Sequence, residues 1–486
     1  MDIQLLVIGG GINGTAIARE AARNNISVLL VERDDLANHT SSASTKLIHG
    51  GLRYLEQYDF ALVRHALKER TLLMRAAPHL IAPMEFVLSQ TKSSRPWLMV
   101  RAGLLLYDLL AGRSPLPWAR RLKTSDANYQ APLKDKGSGF VYWDCKVDDA
   151  RLTIANAVDA AAHGAVIRTR TSLVAARRDG DRWLATLSDG TTVRAKAISN
   201  AAGPWVSAVL SATGSNSANG IRLIKGSHIV VRKLYEGAHA YFLQQPDGRI
   251  VFVAPYHGDT TMIGTTDIAV ENPEDAQIDT AEIDYLCGAA NRYFTQQITQ
   301  ADLVSDWSGI RPLYNDGASE AQEVTRDYVL ELDASGPPVL SVFGGKITTA
   351  RHLAEQVMEK LAGAAAWNFT PSTRTARFPG GDFVDFEALV SDIQSRFAFL
   401  SEARARRLAH AYGTTVFAMF EGHGDAGTEF GNDLASVEVD WLIRHEWAQT
   451  SDDILARRTK LGLGMSDEGK AMLEAYLQKW RASQRQ

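Results

Sequence analysis

Short apolar runs alternate with helix-spaced stripes along the first part of this 486-residue chain. Ile3–Ile8 is apolar and ends in Gly9-Gly10-Gly11, Ile12–Arg23 has helical spacing, and Ser27–Glu32 is apolar again. The chain therefore opens with a strand–helix–strand unit. Residues 40–51, TSSASTKLIHGG, are small and polar and read as a loop or helix start. Asp59–Met74 is expected to be a helix ended by Pro78. Asp148–His163 is another, capped by Asp148 or Asp149 and closed by Gly164.

Beyond that point strands dominate. Val166–Thr171, Ser172–Arg178, Trp183–Ser188 and Thr191–Ile198 are separated by turn signals such as Asp179-Gly180 and Asp189-Gly190. Ile221–Val231, Arg249–Pro255, Thr261–Thr265 and Val339–Phe343 follow. Strands that return late to serve one sheet imply two interleaved domains. From about 380 onward the pattern turns helical, over Phe386–Phe397, Glu402–Tyr412, Val437–His445 and Asp467–Trp480. The expected organisation is an α/β dinucleotide-binding domain from 1–75, 145–210 and 335–365, and a substrate domain from 76–144 and 211–334. A helical C-terminal domain follows from 380 to 486.

The length suits two to four domains at roughly 150 residues each. Two cysteines, Cys145 and Cys287, build neither a disulfide framework nor a Cys/His metal spacing. A net charge of −4 gives no reason to expect nucleic acid as a partner. That total hides an asymmetry: residues 1–123 hold 16 basic and 10 acidic side chains, +6, and the remainder carries −10. The N-terminus lacks the basic start and long apolar core of a secretory signal, and no window is apolar enough to span a membrane. The nearest approach, Trp97–Leu110, carries Arg95, Arg113, Arg120 and Arg121 on its flanks. It reads either as an interfacial helix on an anionic membrane, within a basic stretch 95–123, or as an internal amphipathic helix.

Gly9, Gly11 and Gly14 form GxGxxG between a strand and a helix, and Glu32 ends the next strand 18 residues beyond Gly14. Gly9 permits the tight turn, Gly11 the approach of a pyrophosphate, and Gly14 the packing of helix on strand. The helix N-terminus offers free N–H groups to phosphates, and Glu32 can accept the ribose hydroxyls. Ser41, Ser42, Ser44, Thr45 and Lys46 supply hydroxyls and a cation for an extended cofactor. Asn200–Trp205 could bring backbone close to it. Gly344-Gly345-Lys346-Ile347-Thr348-Thr349 precedes a second helix, whose N-terminus suits the charge that collects on a reduced flavin.

In order along the chain, IGGGINGTAIA at 8–18, TSSASTKLIHGGLRYLEQYDFALV at 40–63, AAPHLIAPMEF at 76–86 and VDDARL at 147–152 form one set of motifs. GIRLIKGSHIVV at 220–231, IVFVAPY at 250–256, IGTTD at 263–267, SGIRPL at 308–313, TRDYVL at 325–330 and SVFGGKITT at 341–349 complete it. Together they resemble the FAD-dependent, respiratory glycerol-3-phosphate dehydrogenases over residues 1–360. Ala16 and Glu20 depart mildly from the family signature, and Ala350 stands where the family often has Tyr.

The resemblance implies a glutathione-reductase-like FAD domain interleaved with an antiparallel-sheet substrate domain, plus an all-helical C-terminal domain. It implies FAD held by Gly9, Gly11, Gly14, Glu32, Arg33, Ser41, Ser42, Thr45, Lys46, Val174, Ala202, Gly203, Gly345, Lys346, Ile347 and Thr348. It implies oxidation of sn-glycerol 3-phosphate to dihydroxyacetone phosphate, with electrons passed to membrane quinone. The expected setting is a homodimer held peripherally on the inner face of the cytoplasmic membrane. Hydride would leave C2 for flavin N5 while a nearby group takes the hydroxyl proton. Arg53, Arg326 and Lys346 are expected at the phosphate and substrate oxygens, and Arg311 at the C2 oxygen. His49 is the leading proton acceptor and His228 the reserve. The competing readings are a glycerol-3-phosphate oxidase that gives electrons to oxygen and makes hydrogen peroxide, and an amine or amino-acid oxidase of the same architecture.

Overall fold

A computed structural model describes residues 1–89, 95–123, 125–215, 217, 220–314 and 328–483. The opening unit forms as expected: strands Asp2–Ile8 and Val28–Val31 pair in parallel, joined by the helix Ile12–Arg23. These strands lie inside a sheet ordered 329–333, 339–343, 192–200, 2–8, 28–31 and 166–168. The first pair is antiparallel and the rest of that path parallel. A meander of Leu173–Asp179 and Arg182–Leu187 joins the sheet through 192–200. One face is covered by three helices, Ile12–Arg23, Asp149–Ala162 and Ala350–Ala365. Small residues let them pack closely, with Ala18, Ala21, Ala157 and Ala354 buried between them. Trp183 and Val209 close the other face.

The second sheet runs 268–270, 221–232, 260–264, 250–255, 240–244, 81–89, 139–147 and 47–48, with 303–314 also against 221–232. It is antiparallel except where 240–244 meets 81–89. The helix Thr280–Asn291 packs on it, burying Leu286 and Ala290 with Tyr241 and Phe294. The strands 81–89, 139–147, 240–244 and 303–314 do not stand out in the sequence pattern. Val329–Asp333 joins the parallel sheet, and Leu47–Ile48 and residues 145–147 the antiparallel one, so the chain changes sheets slightly off the boundaries that composition suggests. The segment 40–51 thus runs from one sheet to the other, and the cleft between them lies along it.

The C-terminal domain is helical, with Phe386–Arg396, Glu402–Tyr412, Ser436–Glu446 and Asp467–Ser483 around Leu408, Leu442 and Leu473. It also has one small ribbon, Glu429–Gly431 against Leu434–Ala435. Buried ion pairs fasten it to the first domain: Arg151 to Glu446 at 2.9 Å and Arg458 to Asp35 at 2.8 Å. Desolvating such charges costs on the order of several kcal/mol per ion, so the pairs fix orientation more than they add stability.

The helix Trp97–Ala111 buries Val100, Leu104 and Tyr107, one face at helical spacing. It turns Leu98, Met99, Leu105 and Leu109 outward, with Leu98 75% exposed. One face of the helix is thus packed on the core and the other carries exposed apolar side chains. No helix among the described residues is long and apolar enough to cross a membrane.

Candidate active site

A cavity of about 370 Å³ follows the C-terminal edge of the parallel sheet, lined by Gly9, Gly11, Asn13, Glu32, Arg33, Ser41, Ala202, Gly203 and Gly345. The glycines are dictated by close approach. A Cβ on Gly14 would sit 1.9 Å from the Gly9 carbonyl oxygen, and Gly9 itself has φ +111° with Ala201 behind it. Glu32 accepts the Gly10 amide at 2.6 Å and the Asp34 amide at 2.9 Å. Burial pushes its carboxyl up while these two donors pull it down. The carboxylate thereby braces the glycine turn from beneath, with lone pairs left for ribose hydroxyls. Ser41 Oγ accepts the Ile12 amide at 2.9 Å, at the start of the first helix. Asn13 donates to the Gly344 carbonyl at 3.1 Å, and its buried Oδ1 has no hydrogen-bond partner among the described residues. An extended cofactor with a pyrophosphate and polar chain fits this lining.

A second cavity, about 300 Å³, shares Ile12, Thr40, Ser41, Pro312 and Gly345 with the first, so the two are one continuous cleft. It brings together Thr45, His49, Arg53, His228, Arg311, Lys346, Ile347 and Thr348, with Phe86, Tyr142, Phe242 and Phe252 as an apolar side. Arg311 donates to the Thr266 carbonyl at 2.9 Å and pairs with Asp267 at 2.7 Å. Its guanidinium lies on Gly226, where a Cβ would be 2.0 Å from Nη2. His228 is buried, stacks on Trp307 at 5.1 Å between centroids, and meets Thr45 Oγ1 at 3.0 Å. Burial first, then the charges of Lys46 and Arg311, hold its pKa well below the ordinary histidine value, so it is neutral. His49 Nδ1 accepts the Gly51 amide at 3.1 Å, which places the proton of the neutral ring on Nε2. Lys346 Nζ lies 4.3 Å over the Tyr54 ring.

Some expected contacts lie elsewhere. Lys46 lines neither part of the cleft; it is buried on Asp149 at 3.0 Å and donates to the Ser42 carbonyl at 2.8 Å. Ser42 Oγ turns to the His39 carbonyl. Val174 is 57% exposed on the outer meander, and its neighbour Leu173 faces the cavity instead. Arg33 reaches the cleft beside Trp205, its guanidinium 3.8 Å from the indole centroid. Arg326 lies outside the described residues. Sequence reasoning passed over Asn13, which stands inside the glycine fingerprint, and Asp267, which ends IGTTD. Arg249, after an Asp-Gly turn, also lines the cleft.

A glycine-rich strand–turn–helix edge, joined to a cation-bearing cavity on an antiparallel sheet, defines a dinucleotide-dependent oxidoreductase. Comparison with known proteins makes that specific. Residues 4–351 match the family model of FAD dependent oxidoreductases, and residues 371–481 that of the C-terminal domain of alpha-glycerophosphate oxidase. A glycerol-3-phosphate dehydrogenase of Pseudomonas aeruginosa is 48% identical over 97% of this chain and 94% of its own. A D-erythritol 1-phosphate dehydrogenase of Brucella abortus is 45% identical over 96% of each. The structure of a Bacillus halodurans glycerol-3-phosphate dehydrogenase complexed with FAD superposes with a TM-score of 0.75 at 26% identity, covering 98% of this chain and 94% of that one. The chain belongs to the FAD-dependent glycerol-3-phosphate dehydrogenase family, and FAD is its cofactor.

Proposed function

We propose that this enzyme oxidises sn-glycerol 3-phosphate to dihydroxyacetone phosphate and passes the electrons to a membrane quinone. The observation that carries the reading is the grouping of Arg53, Arg311 and Lys346 around a cavity continuous with the dinucleotide cleft. A phosphate near −2 calls for that density of cations, whereas an amino acid would need one carboxylate clamp. Arg53 and Lys346 hold the phosphate. Arg311, fixed by Asp267 and Thr266, faces the C2 oxygen and stabilises the charge that grows there. Bound FAD supplies the two-electron acceptor for C2. His49 Nδ1 is engaged by the Gly51 amide, so the proton of the C2 hydroxyl is assigned to neutral His228, reached through the Thr45 hydroxyl. This reverses the order of preference that the sequence suggests for the two histidines.

Quinone as acceptor is supported by the exposed Leu98, Met99, Leu105 and Leu109 beside the exposed Arg113, Arg121 and Lys123. Such a face suits peripheral attachment to an anionic membrane from the cytoplasmic side. Anaerobic addition of glycerol 3-phosphate should bleach the flavin band, and a quinone analogue should restore it faster than air restores it with peroxide. Absence of bleaching defeats the reading, and stoichiometric peroxide defeats the quinone assignment. D-erythritol 1-phosphate belongs in the same experiment, because a relative 45% identical is named for it. Faster bleaching by that substrate would move the assignment to the longer polyol phosphate.

A further inference from the structure

His65 and Glu69 stand one turn apart on the helix Phe60–Ala76, and His352 meets them from the helix Ala350–Ala365. One potential ligand atom from each lies within 4.8 Å of the other two. The two imidazole rings are 4.1 Å apart between centroids. His352 Nδ1 is 3.3 Å from Glu355 Oε2, so the carboxylate takes that N–H and Nε2 keeps its lone pair. Metal-binding histidines are oriented in this way, with the second ring nitrogen given to a carboxylate. Glu69 is held by Arg351 through two bonds of 2.7 Å, and each of its oxygens retains a second lone pair.

Charge balance points the same way. The side chains of Glu69 and Glu355 are 4% and 3% exposed and face one buried guanidinium, Arg351. Arg374 approaches Glu355 only to 3.8 Å and is 64% exposed. Two buried carboxylates thus share one buried guanidinium, with only the His352 imidazole and the exposed Arg374 added beside Glu355 among the described residues.

We propose that His65, Glu69 and His352 form a binding site for a divalent transition metal of the zinc class, with water completing the coordination. Two imidazoles and one carboxylate select zinc over magnesium or calcium, which take oxygen ligands. None of the three residues lines the flavin cleft, so the ion takes no part in the redox step. Its effect is mechanical: it pins together two helices, and the turn Ile347–Thr349 at the start of the second forms a wall of the cleft.

The test uses the full-length, FAD-loaded protein stripped with a chelator and titrated with zinc. One zinc per chain is expected, with a raised melting temperature and an X-ray absorption spectrum showing two imidazole ligands. His65→Gln and His352→Gln should each weaken uptake at least roughly tenfold, and Glu355→Gln by about 10- to 100-fold through loss of the orienting carboxylate. Retained flavin absorbance in each variant shows that it has folded. Failure of the wild-type chain to take up zinc, a spectrum without imidazole, or uptake unchanged in both histidine variants would overturn the proposal.

Discussion

The phenolic oxygen of Tyr107 lies 2.8 Å from the amide nitrogen of Gly50 and accepts its hydrogen. The same hydroxyl donates to Asp144, whose carboxylate is paired with buried Arg70. One helix therefore turns apolar side chains to solvent on one face and, on the other, holds the turn that carries His49 and Arg53. Tyr107→Phe leaves a buried amide and a carboxylate short of a partner, a loss of about 1–3 kcal/mol. A lower melting temperature should appear together with a raised KM for glycerol 3-phosphate and retained FAD. Unchanged steady-state kinetics would show that the turn needs no brace from this helix.

Arg311 and Gly226 should behave as one unit. On the proposed assignment, Arg311→Met removes the charge that faces the C2 oxygen, and kcat/KM should fall by roughly 100-fold or more. Gly226→Ala keeps the charge but puts a methyl group 2.0 Å from Nη2, so the guanidinium must leave its place on Asp267. Both variants should retain the flavin spectrum. Normal turnover in Gly226→Ala would mean that the position of Arg311 is not what matters.

Much of this site is visible in the sequence because its residues sit in short local patterns. The glycine fingerprint, Glu32, and the His49–Arg53 turn each depend on neighbours within a few positions. What the sequence hides is set by distant pairing. The strand Leu303–Tyr314 mixes Ser, Asp, Gly and Pro, and is a strand only because it lies along Ile221–Arg232. Lys46 looks like a cofactor ligand beside three serines, yet it is claimed by Asp149, 103 residues away. The tautomer of His49 depends on one backbone amide, which composition cannot reveal. The helix 97–111 shows its apolar content plainly, but only the packing of Val100, Leu104 and Tyr107 decides which face is spent on the core.

Glu32 braces the glycine turn along the dinucleotide cleft. Because it receives the Gly10 and Asp34 amides, Glu32→Gln replaces one acceptor oxygen by an amide donor pointed at a backbone N–H. The glycine turn should loosen, and FAD should dissociate on gel filtration where the wild-type protein keeps it. Added FAD should restore activity with unchanged KM for the substrate, since the second cavity is untouched. A variant that keeps stoichiometric flavin would argue that Glu32 serves the ribose and turn weakly.

Two histidines covered in the folded chain, buried His79 and half-buried His257, predict acid sensitivity. Burial, the largest cause in both, lowers His79 to about 3 and His257 to about 4. The unfolded chain takes up these protons near the ordinary value of about 6.5, and the folded chain refuses them. Stability is therefore complete above that value and is lost as pH falls from 6.5 toward 4. The melting temperature should drop across this window, before most carboxylates titrate. Replacing both His79 and His257 by Gln should flatten the dependence; an equally steep profile would assign the loss to other groups.

The proposed attachment to a membrane can be separated from catalysis because the exposed apolar groups of the 97–111 helix and Arg113, Arg121 and Lys123 do not line the cleft. Arg120 is engaged with Asp126 at 2.6 Å and is a poor candidate for lipid contact. Arg113, Arg121 and Lys123 are exposed and can meet anionic headgroups. Each such charge contributes about 1 kcal/mol near the surface, so replacing all three by Ser should weaken binding to phosphatidylglycerol vesicles by about 100-fold at low salt. That difference should shrink as salt rises, since the attraction is screened. Replacing Leu98, Met99 and Leu109 by Ser removes the apolar insertion instead, and its effect should persist in high salt. In both variants turnover with a soluble dye should equal that of the wild-type protein, while reduction of quinone in vesicles falls. Vesicle binding that is indifferent to both sets of changes would place the membrane contact on another face.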